Sequence, residues 1–140
     1  MPGRIFIDTN VLVYAIETSG PDASKTATAR QLIQGRSVCI STQVLGEFYR
    51  AVTSARRSSP LRHDEAVAWV QLWKKHEVHG INVSHVDLAL EFCHRYRIAY
   101  FDALILSSAH LAECDTVYSE DLNHDQAYGR TQVLNPFRGD

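Results

Sequence analysis

Ile5-Phe6-Ile7-Asp8-Thr9-Asn10 is the stretch whose reading decides the fold. Three apolar residues run straight into an Asp, and Val11-Leu12-Val13-Tyr14-Ala15 follows. A short, wholly apolar run is the pattern of a strand buried on both faces, as in a parallel sheet. Thr9 or Asn10 is placed to cap a helix whose apolar residues start at Val11. Asp8 then stands at the carboxyl end of a central strand, where open α/β sheets bind ligands. A plainer role for Asp8, helping to cap that helix, fits the sequence equally well.

Outward from this stretch, strands and helices alternate. A short helix from Asn10 to about Glu17 gives way to a loop over Thr18-Ser19-Gly20-Pro21-Asp22, with Gly20-Pro21 as breaker. Ser24 is expected to cap a second helix through Ile33, ended by Gly35. Val38-Cys39-Ile40 reads as the second buried strand. Ser41 or Thr42 opens a helix to about Arg57, closed by Ser58-Ser59-Pro60. A further helix covers about Asp64 to His76, with Trp69, Val70 and Trp73 on one face. Ile81-Asn82-Val83 is the expected third strand, and Ser84 the next cap, with Asp87 as its capping-box acid. Tyr100-Phe101-Asp102 starts a helix through about Glu113. Thr116-Val117-Tyr118 is the fourth strand and Thr131 to Leu134 a fifth. This alternation predicts an α/β fold with a mostly parallel sheet of 4–5 strands and right-handed crossovers.

The bulk properties set bounds. A length of 140 residues suits one domain, residues 1–140, with room for a real core. No apolar run approaches the ~20 residues that span a bilayer, so no membrane role is expected. Met1-Pro2-Gly3-Arg4 lacks a secretory leader pattern, which points to a cytoplasmic protein. Cys39, Cys93 and Cys114 are distant in sequence and form no C-x-x-C pair; the expectation is buried free thiols rather than disulfides or a zinc site. A formal net charge of −2 argues against an overall basic coat but allows a local basic patch.

Four carboxylates stand out by context. Asp8 ends the first strand. Glu47 shares a helical stripe with Val44 and Ala51, a place where Glu rarely sits without a reason. Asp102 opens an apolar helix on the face of Ile105 and Leu106, and Asp121 follows the fourth strand in Tyr118-Ser119-Glu120-Asp121. Each has a bland alternative: a first-turn acid for Asp102, a turn residue for Asp121. If the four converge, their charges demand a cation, since two carboxylates about 4 Å apart repel by roughly 4 kcal/mol at an effective dielectric of ~20. Oxygen-only ligands favour Mg²⁺ or Mn²⁺, and Mg²⁺ shares its shell readily with phosphate. Metal-assisted phosphodiester cleavage by an activated water follows. No G-x-x-x-x-G-K phosphate loop or recognisable nucleophile motif competes.

The motifs Phe6-Ile7-Asp8-Thr9-Asn10-Val11-Leu12-Val13-Tyr14-Ala15, Gly46-Glu47-Phe48, Tyr100-Phe101-Asp102-Ala103-Leu104-Ile105 and Tyr118-Ser119-Glu120-Asp121-Leu122 resemble, in that order, a PIN-domain nuclease. More narrowly, the chain resembles the VapC-type toxins of bacterial toxin–antitoxin modules, over essentially its whole length. The resemblance implies an α/β/α sandwich and a Mg²⁺- or Mn²⁺-dependent endoribonuclease that cuts structured RNA such as tRNA or rRNA. Its acids carry over to Asp8, Glu47, Asp102 and Asp121, with Asp8, Asp102 and Asp121 as metal ligands. Thr9, Asn10 and Ser119 match supporting positions, and Asp125 an outer-shell acid, although His124-Asp125-Gln126 departs from the Asp-Gly often found there. Glu120 adjoins Asp121, and neighbouring residues at a strand end point in opposite directions; Asp121 is the one that matches. The resemblance also implies a VapB-type antitoxin and a homodimer. Arg50, Arg56, Arg57 and Arg62 are candidate RNA-backbone contacts, or simply cations suited to a helix C-terminus. The helices around Val67-Ala68-Trp69-Val70 with Trp73, and around Ala27, Leu32 and Ile33, offer partner surfaces or plain core packing.

Two other functions compete. A haloacid-dehalogenase-like phosphatase also uses an Asp after the first strand, but needs a second acid where this chain has Asn10, and none of Lys25, Lys74 and Lys75 directly follows an expected strand. A non-catalytic RNA- or protein-binding module with the same fold would be expected to have lost some of the acids, and all four are present.

Overall fold

The apolar run 5–7 forms the interior strand that the sequence demands. Ile5, Phe6 and Ile7 have no exposed surface at all. The computed structural model of the chain describes residues 3–17, 21–35 and 37–138. Its elements are β1 (Arg4–Ile7), α1 (Thr9–Ala15), α2 (Ala23–Gly35), β2 (Ser37–Ser41), α3 (Thr42–Thr53) and α4 (His63–Trp73). There follow β3 (Glu77–His79), α5 (Val83–Tyr96), α6 (Tyr100–Leu111), β4 (Thr116–Tyr118), β5 (Ala127–Tyr128) and β6 (Thr131–Leu134).

The strands form one sheet in the order β3-β2-β1-β4-β6-β5. Every neighbouring pair is parallel except β5–β6, an antiparallel hairpin. The sheet therefore has six strands, not the 4–5 expected; the two-residue β5 is too short to leave a periodic signal. The connections β1→β2 and β2→β3 step in one direction, and β3→β4 steps back across both. Right-handed crossovers put α1–α4 on one face and α5–α6 on the other. Packing agrees: α1 lies against α2 and α3, α3 against α4, and α5 against α6. This is the α/β/α sandwich. The direction of winding reverses between β1 and β4, and the carboxyl ends of those two strands border the switch-point crevice.

The third strand is not Ile81–Val83. It is Glu77–His79, half exposed at the sheet edge, so it carries no apolar run. Asn82, not Ser84, caps α5 by accepting from the Ser84 N–H at 2.9 Å. His85 rather than Asp87 completes the capping box, its Nδ1 accepting from the Asn82 N–H. Ser24 lies inside α2, which starts at Ala23. α3 stops at Thr53, short of Arg57, because Ser54 adopts an extended backbone with ψ 135°. α4 and α6 likewise end early, at Trp73 and Leu111. The expected loop at Thr18-Ser19-Gly20 lies outside the described residues.

One core joins both helical layers to the sheet, with Phe6, Phe48, Leu106 and Tyr128 among its fully buried side chains. Burial of one such large side chain contributes about 1.5–3 kcal/mol. Trp73 is buried edge-on to Phe48, and Trp69 stacks on Trp73 at 5.5 Å. Leu32, Ile33, Trp69 and Val70 are half-buried against the same core, so they serve packing first. Cys39 and Cys114, far apart in sequence, meet within hydrogen-bond reach. All three cysteines are free thiols. Among the described residues, no helix is long and apolar enough to cross a membrane.

Candidate functional site

The switch-point crevice is where the acids gather. Asp8 leaves β1 with its N–H bonded to the Tyr118 carbonyl of β4 at 3.1 Å. Its side chain caps α1 by accepting from the Thr9 N–H at 2.7 Å. Thr9 and Asn10 are therefore not the cap; Asp8 is, and its second oxygen is free for other work. That oxygen accepts from Ser119 Oγ at 2.7 Å. Capping and clustering, which the sequence presents as alternatives, coexist in one carboxylate.

Asn10 wires the centre together. Its Nδ2 lies 3.2 Å from Asp121 Oδ2, 3.3 Å from Ser119 Oγ and 3.5 Å from Asp8 Oδ2. Its Oδ1 accepts from the Glu120 N–H at 3.1 Å. Ser119 Oγ also accepts from the Asp121 N–H, which fixes the turn after β4. Glu47 reaches in from α3. One of its oxygens accepts from Thr9 Oγ1 at 2.8 Å and the other from Gln43 Nε2 at 3.1 Å. Gln43 Nε2 also donates to the Phe101 carbonyl, one residue before Asp102. The network thus ties together the start of α1, α3, α6 and the β4 turn.

The charges of Glu47 and Asp121 act on both Asp8 and Asp102. Burial pushes the Asp8 carboxyl up to about 6, against the pull of Ser119 and Thr9, and the charges of Glu47 and Asp121 add to the rise. Burial likewise raises Asp102, reinforced by Asp121 and Glu47. Among the described residues, no ion pair involves any of the four. Other acids are treated differently. Glu120 turns away to Lys25 Nζ at 2.6 Å and Tyr14 Oη at 2.9 Å. Glu17 pairs with Arg57 at 2.7 Å, and Asp64 with Arg62 at 3.2 Å. An all-oxygen donor set that no cationic side chain pairs fits a hard divalent ion.

The amino-acid pattern of the PIN domain family matches residues 5–130, nine-tenths of the chain. The chain belongs to the PIN domain family. Among solved structures, this PIN domain is similar to VapC20 from Mycobacterium tuberculosis, described as a sarcin–ricin loop cleaving toxin. That likeness has 22% identity and a TM-score of 0.66, over 84% of this chain and 89% of that one. It is also similar to a toxin–antitoxin complex from Klebsiella pneumoniae, with 14% identity and a TM-score of 0.72 over 95% and 98% of the two chains. VapBC2 from Rickettsia felis, bound to a DNA fragment from its promoter, shares 17% identity and a TM-score of 0.66 over 94% and 98%. These likenesses concern the fold. No curated protein matches the chain.

Within this PIN domain, Thr9, Asn10 and Ser119 all contact the acids. Asp125 does not join them: it accepts from Gln132 Nε2 at 2.6 Å, on a left-handed backbone with φ 68°. Arg50 lines the open groove together with Thr9, Asn10, Glu47 and Asp121. Arg57 and Arg62 are engaged by acids, and Arg56 is exposed in the following turn. Sequence reasoning missed Gln43, whose signal is its place one helical turn before Glu47. It also missed the Lys25–Glu120–Tyr14 latch, which only the tertiary fold assembles.

Proposed function

We propose that the chain is a metal-dependent endoribonuclease, the toxin of a toxin–antitoxin pair. The observation that carries this reading is the crevice itself: four carboxylates supported by neutral hydrogen-bond donors, none of them in an ion pair among the described residues. Asp8, Asp102 and Asp121 would hold Mg²⁺ or Mn²⁺. A bound ion of that kind supplies a Lewis acid for the scissile phosphate and lowers the pKa of an attacking water. Ser119 and Asn10 aim the Asp8 and Asp121 oxygens. Thr9 and Gln43 hold both Glu47 oxygens, so this carboxylate presents a fixed negative charge to the groove. Arg50, on the same groove, suits a phosphate of the RNA backbone.

RNA as substrate is supported by the likeness to a toxin described as cleaving the sarcin–ricin loop. An antitoxin partner is supported by relatives solved as toxin–antitoxin complexes. A guanidinium from such a partner would suit the uncompensated acids. The phosphatase alternative lacks its second acid, since position 10 is an Asn that bridges Asp8 and Asp121.

The decisive experiment incubates the purified chain with total RNA and Mg²⁺ or Mn²⁺, then maps the new 5′ and 3′ ends. Cleavage at a few sites is expected, abolished by EDTA and restored by added metal. Cleavage that persists in excess EDTA overturns the metal mechanism. Co-expression with the small DNA-binding protein encoded next to the toxin gene is expected to silence the activity through a stable complex.

A further inference from the structure

Away from the groove, β2 and β3 bring together a different set of side chains. Cys39 and Glu77 are direct partners across the two strands. His79 lies two residues beyond Glu77 and so on the same side of β3. Cys39 Sγ, a Glu77 carboxylate oxygen and a His79 ring nitrogen all lie within 4.8 Å of one another. They converge on a single atom, Glu77 Oε2. The Cys39 thiol donates to it at 3.5 Å, and His79 Nε2 lies 2.5 Å from it. Arg4 Nη2 pairs with the same oxygen. Cys114, just past α6, adjoins Cys39 but lies outside this three-residue cluster.

We propose that Cys39, Glu77 and His79 form a three-ligand site for a thiophilic divalent cation, with zinc the best fit and its fourth position open to water. This inference stands apart from the nuclease reading, because mixed sulfur, nitrogen and oxygen donors select a different ion from the all-oxygen crevice. Zinc bonds of about 2.3 Å to sulfur and 2.0–2.1 Å to nitrogen or oxygen place tetrahedral ligands roughly 3.2–3.8 Å apart. The Cys39–Glu77 spacing of 3.5 Å already falls there, while the His79–Glu77 contact of 2.5 Å has to open as the ion comes between the two. The charges also close. One thiolate and one carboxylate carry two negative charges, which a divalent cation balances. Arg4 need not leave, since its Nη1 holds the other Glu77 oxygen at 3.1 Å and its Nη2 reaches the Ala112 carbonyl at 2.8 Å. It becomes the group that orients a ligating carboxylate. The Cys39 sulfur is buried while Glu77 and His79 are partly exposed, so the ion enters from the β3 side. Once bound, it fastens the three-residue β3 to β2.

The test uses the full chain carrying Asp8→Asn and Asp102→Asn, which removes competition from the crevice. Under reducing conditions it is titrated with Co²⁺, followed by optical absorption, and then with Zn²⁺. The expected result is one equivalent of cobalt with a thiolate-to-cobalt charge-transfer band, displaced by zinc. Tm should rise by about 8–10 °C at free zinc a hundred times its dissociation constant. His79→Gln, at a partly exposed position, should weaken binding at least tenfold, and Cys39→Ser should remove the charge-transfer band. If Cys39→Ser does not fold, the cobalt spectrum of the chain with Cys39 intact and the His79→Gln titration decide. Absence of the charge-transfer band, or cobalt affinity unchanged by His79→Gln, overturns the proposal.

Discussion

Glu77 and Asp8 project from the same sheet, yet the chain treats their charges in opposite ways. Glu77, on the β3 edge, meets an Arg and a His, and Arg4 holds its carboxyl below the usual range. Asp8, at the crevice, meets a serine hydroxyl, a backbone amide and an Asn amide, and its carboxyl is raised. Neutral donors position a carboxylate without cancelling its charge. A fold that supplies cations to Glu17, Glu77 and Glu120 but not to four converging acids keeps that charge available for something from outside. The difference lies in which partners the sequence provides, not in the number of acids.

The sharpest way to break the contrast is to neutralise Asp8. Asp8→Asn keeps the shape and the helix cap but removes one negative charge. RNA cleavage should fall at least about 10²–10³-fold, the scale seen when one preorganised electrostatic group is lost. A rate assay at saturating Mg²⁺ checks it.

The same substitution should stabilise the metal-free fold. The Asp8 carboxyl is raised from 3.8 to about 6 in the folded chain. Between those values the folded state holds a proton that the unfolded state has released, so stability falls as pH rises through that window. Removing the charge should therefore add about 2–3 kcal/mol at pH 7, or roughly 5–10 °C in Tm, with little gain at pH 4. Thermal melts in EDTA across pH 4–8 measure this. Stability and activity would then move in opposite directions at one residue.

Ser119→Ala probes the neutral donors. The Ser119 hydroxyl favours ionised Asp8, so its loss should raise the Asp8 pKa and move the acid limb of the pH–rate profile to higher pH. A stability cost of about 1–2 kcal/mol should accompany it, part of the loss being relieved by protonation of Asp8. The smallest effect belongs to the compensated side. Lys25→Met leaves Glu120 with Tyr14 alone, but the pair is partly exposed and its loss should cost under about 1 kcal/mol by denaturant titration.

The sequence is legible wherever burial is complete. Ile5-Phe6-Ile7 is apolar throughout, so both the strand and the position of Asp8 at its carboxyl end can be read directly. Val38-Cys39-Ile40 is read on the same grounds. Legibility fails where an element is half exposed or where a partner is distant. Glu77-Val78-His79 looks polar because it is an edge strand, and Ile81 draws the eye instead. Asn82 outcompetes Ser84 as a cap by two residues, a shift that no periodicity records. At the crevice, the acids announce themselves by odd surroundings, but the donors that hold them do not. Gln43 is an ordinary helical Gln until Phe101 and Glu47 are seen beside it. Cys39 and Cys114 look unrelated because the winding that joins them passes through four intervening helices and an edge strand.

The outermost strands of the sheet, β3 and β5, are stubs of three and two residues. Short borders leave few unpaired backbone amides to template pairing with another polypeptide, which protects the fold from aggregation by strand addition. A second chain has little backbone to zip onto and must instead be recognised through side chains on the helical layers, where specificity can be written residue by residue.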